Sequence, residues 1–226
     1  MKKILVIAAH PDDEVLGVGG TIAKLSKEGC EITVLIVTDG SSSQYGGAPN
    51  LSDIIAEKKL ETARCAEILG VTRIIYGGLP DMRLDTVDHI SINKVIETVV
   101  NQVKPDTVFT HFWGDVNLDH QNVYKSTLVA VRPVMGQVVK RLICYRTPSS
   151  TEWTPPKPDT MFVPNLYVDI TSVAQTKYQA FKAYSTELRE YPHPRSIRYL
   201  KELDIASGIQ VGLYCAETFM ILREIQ

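Results

Sequence analysis

Within one five-residue run, His10-Pro11-Asp12-Asp13-Glu14, the chain sets a histidine beside two adjacent aspartates. An imidazole and a carboxylate are donors that a borderline divalent ion such as zinc accepts. Two neighbouring carboxylates in a tight turn do not easily point the same way. One can hold a metal while the other faces a water on that metal and takes its proton. A helix start decorated with acids for the helix dipole would account for Glu14, but it has no use for the histidine. A second polar stretch, Thr110 to His120, contains His111, Asp115, Asn117, Asp119 and His120. It is equally rich in metal-ligand types.

These side chains need elements to position them. The apolar run Ile4 to Ala9 reads as a first strand ending in the acidic turn, and Glu14 to Lys27 reads as the helix that follows, closed near Gly29. Glu31 to Val37 is β-branched and apolar, a buried second strand. Leu51 to Leu69 has a helical apolar stripe, and Gly70 ends it. Thr72 to Tyr76 is a short third strand followed by a loop, Gly77 to Asp81. Ile90 to Val103 is a helix and Thr107 to Thr110 a fourth strand. The next helix is expected over His120 to Val131, capped by Asp119. Leu142 to Tyr145 is a fifth strand, and the Pro-, Ser- and Thr-rich stretch Thr147 to Pro164 is an excursion near the site. Leu166 to Asp169 and Thr218 to Leu222 read as strands, Ser172 to Tyr184 and Ile197 to Ala206 as helices.

The alternation predicts an α/β fold, Rossmann-like and three-layered, with a mostly parallel sheet and strand order 3-2-1-4-5 at its core. The 226 residues fit a single domain, 1–226. In that order strands 1 and 4 are neighbours at the topological switch point, where open α/β sheets build ligand sites. The His-Pro-Asp-Asp turn and the Thr110 to His120 loop therefore share one crevice. A dinucleotide site is disfavoured. Gly17-Val18-Gly19-Gly20 lies inside the helix start, and the turn itself carries carboxylates that repel a pyrophosphate.

Composition narrows the classes further. Hydrophobic residues make up 44% and charged residues 22%, with a formal net charge of -2. No basic stripe points to nucleic acid, and no stretch has the length of a membrane span. The apolar run after Met1-Lys2-Lys3 is too short for a signal h-region. Cys30, Cys65, Cys144 and Cys215 are widely spaced and read as reduced thiols, so a cytoplasmic location is expected.

His10-Pro11-Asp12-Asp13-Glu14 after strand 1, with Asn117-Leu118-Asp119-His120 after strand 4, resembles the PIG-L-like (LmbE-like) zinc-dependent N-deacetylase family. Thr38-Asp39-Gly40, the helix end Glu61 to Gly70, Leu79-Pro80-Asp81, His193-Pro194-Arg195-Ser196 and Ala216-Glu217-Thr218-Phe219 extend the resemblance over the whole chain. It implies a hydrolase removing the N-acetyl group from an N-acetylglucosamine-type sugar or its conjugate, assembled as a homo-oligomer. It also implies one zinc ion per chain, replaceable by other divalent transition metals, with His10, Asp13 and His120 as ligands. Asp12 is then the general base, which hands its proton on to the leaving amine.

One departure stands out. Several well-known members of that family carry a histidine three residues before the last zinc ligand, where it stabilises the oxyanion, and Asn117 occupies that place here. An amide still donates to an oxyanion but cannot be a cationic acid. His193, from this subunit or a neighbour, is a candidate replacement. Asp119 is expected to cap its helix and to orient a ligating imidazole. Asp39 either holds His10 or begins a turn, and His111 is either a donor behind the ligands or a packed strand-end histidine. Asp81 and Arg83 are candidates for sugar hydroxyls. Arg195 and Arg198 either hold an anionic group of the substrate or make an intersubunit ion pair. Trp113 and Tyr45 either stack on a sugar or pack. Lys58, where relatives often have an arginine near the substrate, reads as a solvated helix lysine. The competing readings are a zinc amidase acting on another amide, such as a thiol-sugar conjugate or antibiotic precursor, and a metal- or nucleotide-binding module without turnover. The spare Asp12 carboxylate speaks against mere metal binding.

Overall fold

The computed structural model describes residues 2–41 and 50–226. Its elements run β1 (Lys3–Ala8), α1 (Asp13–Lys27), β2 (Glu31–Thr38), α2 (Leu51–Leu69), β3 (Arg73–Leu79), α3 (His89–Val103), β4 (Thr107–His111), α4 (Leu118–Ala130), β5 (Arg141–Tyr145), β6 (Leu166–Asp169), α5 (Ala174–Phe181), α6 (Ile197–Ile209) and β7 (Ala216–Glu224). The seven strands form one sheet in the order β3-β2-β1-β4-β5-β7-β6. Its first five strands are parallel. The expected 3-2-1-4-5 core is present. Beyond it the last strand, β7, inserts antiparallel between β5 and β6.

The continuous apolar runs of β1 and β2 follow from burial on both faces. Ile4, Val6 and Ala8 point into a cluster with Val15 and Leu16 of α1, Cys65 and Leu69 of α2, Phe181 of α5 and Leu200 of α6. Leu5, Ile7 and Ala9 point the other way, against Ile92, Ile96 and Val99 of α3 and Val123 of α4. The result is three layers, with the β1/β4 boundary at the centre. The glycines of α1 serve this packing. A Cβ on Gly17 would lie 2.3 Å from Cδ2 of Tyr145, and one on Gly20 would lie 2.8 Å from Ile170. All four cysteines are free. Among the described residues no helix is long and apolar enough to cross a membrane.

Two expectations need correction. β3 does not stop at Tyr76 but runs to Leu79, taking in Gly77 and Gly78. Its register against β2 shifts between Ile36 and Thr38. A Cβ on Gly77 would stand 2.5 Å from the carbonyl oxygen of Val37, so the glycine permits a close approach rather than a loop. The fourth helix begins at Leu118, and Asn117 caps it by accepting from the Asp119 amide at 2.8 Å. Asparagine caps as well as aspartate does, and the earlier start frees the Asp119 carboxylate for other contacts.

Away from the β1/β4 edge, Lys177 is fully buried between two carboxylates, with Nζ 2.9 Å from Asp204 and 2.9 Å from Glu217. Glu217 in turn accepts from the amides of Gly20 and Thr21 at 2.8 and 2.7 Å. This cluster joins α1, α5, α6 and β7. Lys177→Met strands two buried carboxylates, and breaking a buried pair in this way costs ~3–5 kcal/mol. Thermal denaturation should show a markedly lower Tm, and an unchanged Tm would mean that the cluster contributes nothing.

Candidate active site

The acidic turn is held in an unusual backbone conformation. Asp12 has φ 111°, in the left-handed region, while its carbonyl already accepts from Val15 and Leu16 at the start of α1. Aspartate tolerates that region better than most residues, and such strain collects at functional sites. Glu14 secures the turn from below. It is buried, its Oε2 accepts from the Asp12 amide at 3.1 Å, and its Oε1 accepts from the Tyr184 hydroxyl at 2.6 Å. Burial pushes the Glu14 carboxyl up to about 7, against the Tyr184 bond. Gly40, after β2, closes over Pro11: a Cβ there would lie 2.3 Å from the proline ring.

The turn brings His10 and Asp13 against His120, from the first turn of α4. Among the described residues these three are the group whose ligand atoms all lie within 4.8 Å of one another. The triangle is tighter than that limit. Nδ1 of His10 is 3.3 Å from Oδ2 of Asp13, Nε2 of His120 is 3.4 Å from the same oxygen, and the two ring nitrogens are 3.3 Å apart. A tetrahedral ion with ligand bonds of about 2.0–2.1 Å needs ligand–ligand edges of about 3.3–3.4 Å. The donor set and its spacing therefore fit a divalent ion of the zinc type.

Carboxylates stand behind both imidazoles. Nε2 of His10 is 3.1 Å from Oδ2 of Asp119, and Nδ1 of His120 is 3.2 Å from Oδ1 of Asp115. Such partners fix the ring orientation of metal-binding histidines and raise their basicity. Asp119 is itself held by the Leu84 amide at 3.0 Å, and Asp115 by the Thr151 hydroxyl at 2.6 Å. Burial disfavours charge on His120, but Asp13 and Asp115 outweigh it and hold its pKa up at about 9. His10 is likewise raised, by Asp119 and Asp13 against burial. Asp13 is held well below the carboxylate range because the charge on His120 overcomes burial. A bound cation would take the place of the imidazole protons.

His111 is close but plays another part. It is fully buried, and its ring stacks on His120 at 3.9 Å. Its Nε2 accepts from the Ala9 amide at 2.9 Å, which leaves the proton on Nδ1, 3.2 Å from the Thr147 hydroxyl. Burial and the neighbouring His120 lower its pKa to about 4, so it stays neutral.

A cavity of about 100 Å³ opens onto the cluster, lined by Asp12, Asp81, Met82, Asn117, Thr147, Ser149, Ser150, Glu187 and Arg195 besides the three candidate ligands. Asp12 is buried and raised well above the usual carboxylate range by burial, with Arg195 opposing. Asp81 lies 3.6 Å from Nε2 of His10. The cap of Asn117 orients its amide, whose Nδ2 contacts Sδ of Met82 at 3.4 Å. Arg83 is exposed and outside the cavity lining, where its neighbour Met82 stands instead. His193 is also outside it: its Nδ1 accepts from the Arg195 amide at 3.0 Å, and its ring meets Trp153 edge-on. The Asp39 carboxylate accepts from the Ser41 amide, as in a turn. Trp113 packs on Phe112 and donates to Asp159, and Tyr45 lies outside the described residues. Lys58 is not solvated but buried, because Glu61 and Glu187 face its ammonium.

Sequence reasoning missed Asp115, Glu187 and Ser149. Asp115 had a signal, a carboxylate five residues before His120 in the loop already singled out. Glu187 and Ser149 had none, since only the folded chain brings them to the turn.

A strained acidic turn and a compact His-Asp-His triangle at a switch point define a metal-ready site at the strand ends of an α/β sheet. The family model described as "PIG-L: GlcNAc-PI de-N-acetylase" matches residues 5–131, more than half of the chain, and the chain belongs to that family. A diacetylchitobiose deacetylase of Thermococcus kodakarensis is 27% identical over 96% of this chain and 82% of its own length. Among solved structures, the N,N'-diacetylchitobiose deacetylase of Pyrococcus horikoshii, complexed with an inhibitor, superposes with a TM-score of 0.79. It is 23% identical, over 98% of this chain and 84% of that one. A 4-carboxy-2-hydroxymuconate hydratase of Pseudomonas putida superposes at 0.77, 20% identical over 100% of this chain and 98% of that one. The fold alone therefore does not name the reaction. The curated relatives by sequence include deacetylases of N-acetylated sugars, which supports an enzyme that hydrolyses amides.

Proposed function

We propose that this chain is a zinc-dependent N-deacetylase that hydrolyses the acetamide of an N-acetylglucosamine-type sugar or its conjugate. The observation that carries the reading is the tetrahedral spacing of the His10, Asp13 and His120 donor atoms beside a carboxylate, Asp12, that is not one of them. A bound zinc ion would make water acidic, with a pKa of about 7, and polarise the acetamide carbonyl. Asp12 takes the proton of the attacking water. As the water oxygen bonds to the acetamide carbon, the buried Asp12 carboxyl holds that proton and then gives it to the nitrogen as the C–N bond breaks, so that acetate and the free amine leave. Asn117 offers an N–H to the oxyanion. Its carbonyl is occupied by the helix cap, so the amide cannot turn away, and the thioether it faces is a weak acceptor, easily exchanged. Asp119 and Asp115 hold the two imidazoles in place, and Asp81 is the group for a sugar hydroxyl. Asp39 supports the turn through its loop.

The test is acetate release from a panel of N-acetylated amino sugars, including diacetylchitobiose, alongside elemental analysis. Protein prepared without chelator should carry about one divalent metal per chain. Chelation should abolish acetate release and zinc should restore it. Protein that neither contains nor takes up metal, or a chelator-insensitive reaction, would sink the proposal.

A further inference from the structure

Four charged side chains of alternating sign run without a gap from α2 to the acidic turn. Lys58 is buried on α2, with Nζ 2.5 Å from Oε1 of Glu187 and 3.5 Å from Glu61. Glu61 grips the same neighbouring segment, accepting from the Ser185 hydroxyl at 2.8 Å and from the Thr186 amide at 3.0 Å. The far oxygen of Glu187, Oε2, accepts from Nη1 of Arg195. That same Nη1 is 3.5 Å from Oδ2 of Asp12. The other side of the guanidinium is fixed as well, since its Nε donates to the Ser149 hydroxyl at 2.8 Å. The Asp12 backbone is set by the strained turn and by Glu14, but its carboxylate still has two side-chain torsions. Among the contacts described here, Arg195 is the cation that meets it.

We infer that Glu187, gripped by Lys58, is a positioning residue that pins Arg195 on Asp12, so that Arg195 aims the proton-accepting carboxylate instead of receiving an anionic part of the substrate. The inference rests on the proposed role of Asp12 as proton acceptor. A guanidinium shared between two carboxylates has little charge left for an anion. A base misplaced by even 1 Å can cost up to about 10²-fold in rate, so a device that fixes its aim acts on the chemical step.

The experiment uses the metal-loaded full chain and an N-acetylated sugar that it hydrolyses. Glu187→Ala and Arg195→Met should lower kcat by roughly 10–100-fold, with KM changed less than about twofold and metal content unchanged. Glu187→Gln, which keeps an oxygen for Nη1, should recover most of the rate. In an Asp12→Asn background, Glu187→Ala should cost little further, because the carboxylate that it serves is gone. A rise in KM in place of the fall in kcat, or an undiminished loss in the Asp12→Asn background, would overturn the inference. Failure of the underlying reading is separable: Asp12→Asn alone would then keep the wild-type rate. A second measurement does not need turnover. In crystals of metal-loaded Glu187→Ala, the Arg195 guanidinium should leave Asp12 and the carboxylate should take more than one orientation. An Arg195–Asp12 pair unchanged in those crystals would refute the inference.

Discussion

Asp12→Asn should keep its metal and lose turnover by roughly 10²–10⁴-fold, the range for removal of a general acid–base group. The substitution is nearly isosteric, and asparagine also tolerates the left-handed backbone that Asp12 adopts at φ 111°. The turn should therefore stay intact, with the Asp12 amide still held by Glu14 and the three candidate ligands still converged. What is lost is the oxygen that can accept a proton. Kinetics paired with elemental analysis read both halves of the expectation. Full activity would remove Asp12 from the mechanism. Loss of metal together with rate would mean that Asp12 and Asp13 have exchanged roles.

His120→Ala should instead abolish metal retention and take activity with it. Removing one corner of a 3.3–3.4 Å triangle leaves two protein donors, and the ion becomes mostly solvated. Asp13→Ala and His10→Ala should behave alike. The comparison with Asp115→Ala is informative, because Asp115 meets the triangle at the far nitrogen of His120 and not at a candidate donor atom. Loss of such an outer partner typically costs 10–100-fold in metal affinity, so Asp115→Ala should weaken binding without removing it. Competition with a chelating dye gives the ranking. Asp115→Ala as damaging as His120→Ala, or His120→Ala with full occupancy, would contradict the ligand assignment.

The chain's local chemistry is legible wherever one segment suffices to express it. Strand runs apolar on both faces can only be the middle of a covered sheet, and β1 and β2 are that. The α2 boundaries, Leu51–Leu69, can be read from the apolar stripe and the terminal Gly70. The His-Pro-Asp-Asp turn and the loop before α4 offer metal-ligand residue types that can be read from the sequence alone. The α/β alternation then brings the two together, because strands 1 and 4 flank the switch point.

Other features depend on distances between segments that no local pattern encodes. Lys58 looks like a solvated helix lysine until Glu187, more than a hundred residues away, arrives to pair with it. Arg195 reads as an anion site or an intersubunit ion pair, and only the fold shows that Asp12 and Glu187 of its own chain stand beside it. Asp119 reads both as a cap and as the partner of an imidazole, and only the fold decides between them: Asn117 takes the cap and Asp119 faces His10. The insertion of β7 between β5 and β6 is equally invisible, since an antiparallel partner is chosen by packing and not by its own sequence. By itself the sequence determined which residue types sit at the ends of which strands. The tertiary structure decided how their charges are paired, because a charge takes its partner from whatever the fold sets within a few ångströms of it.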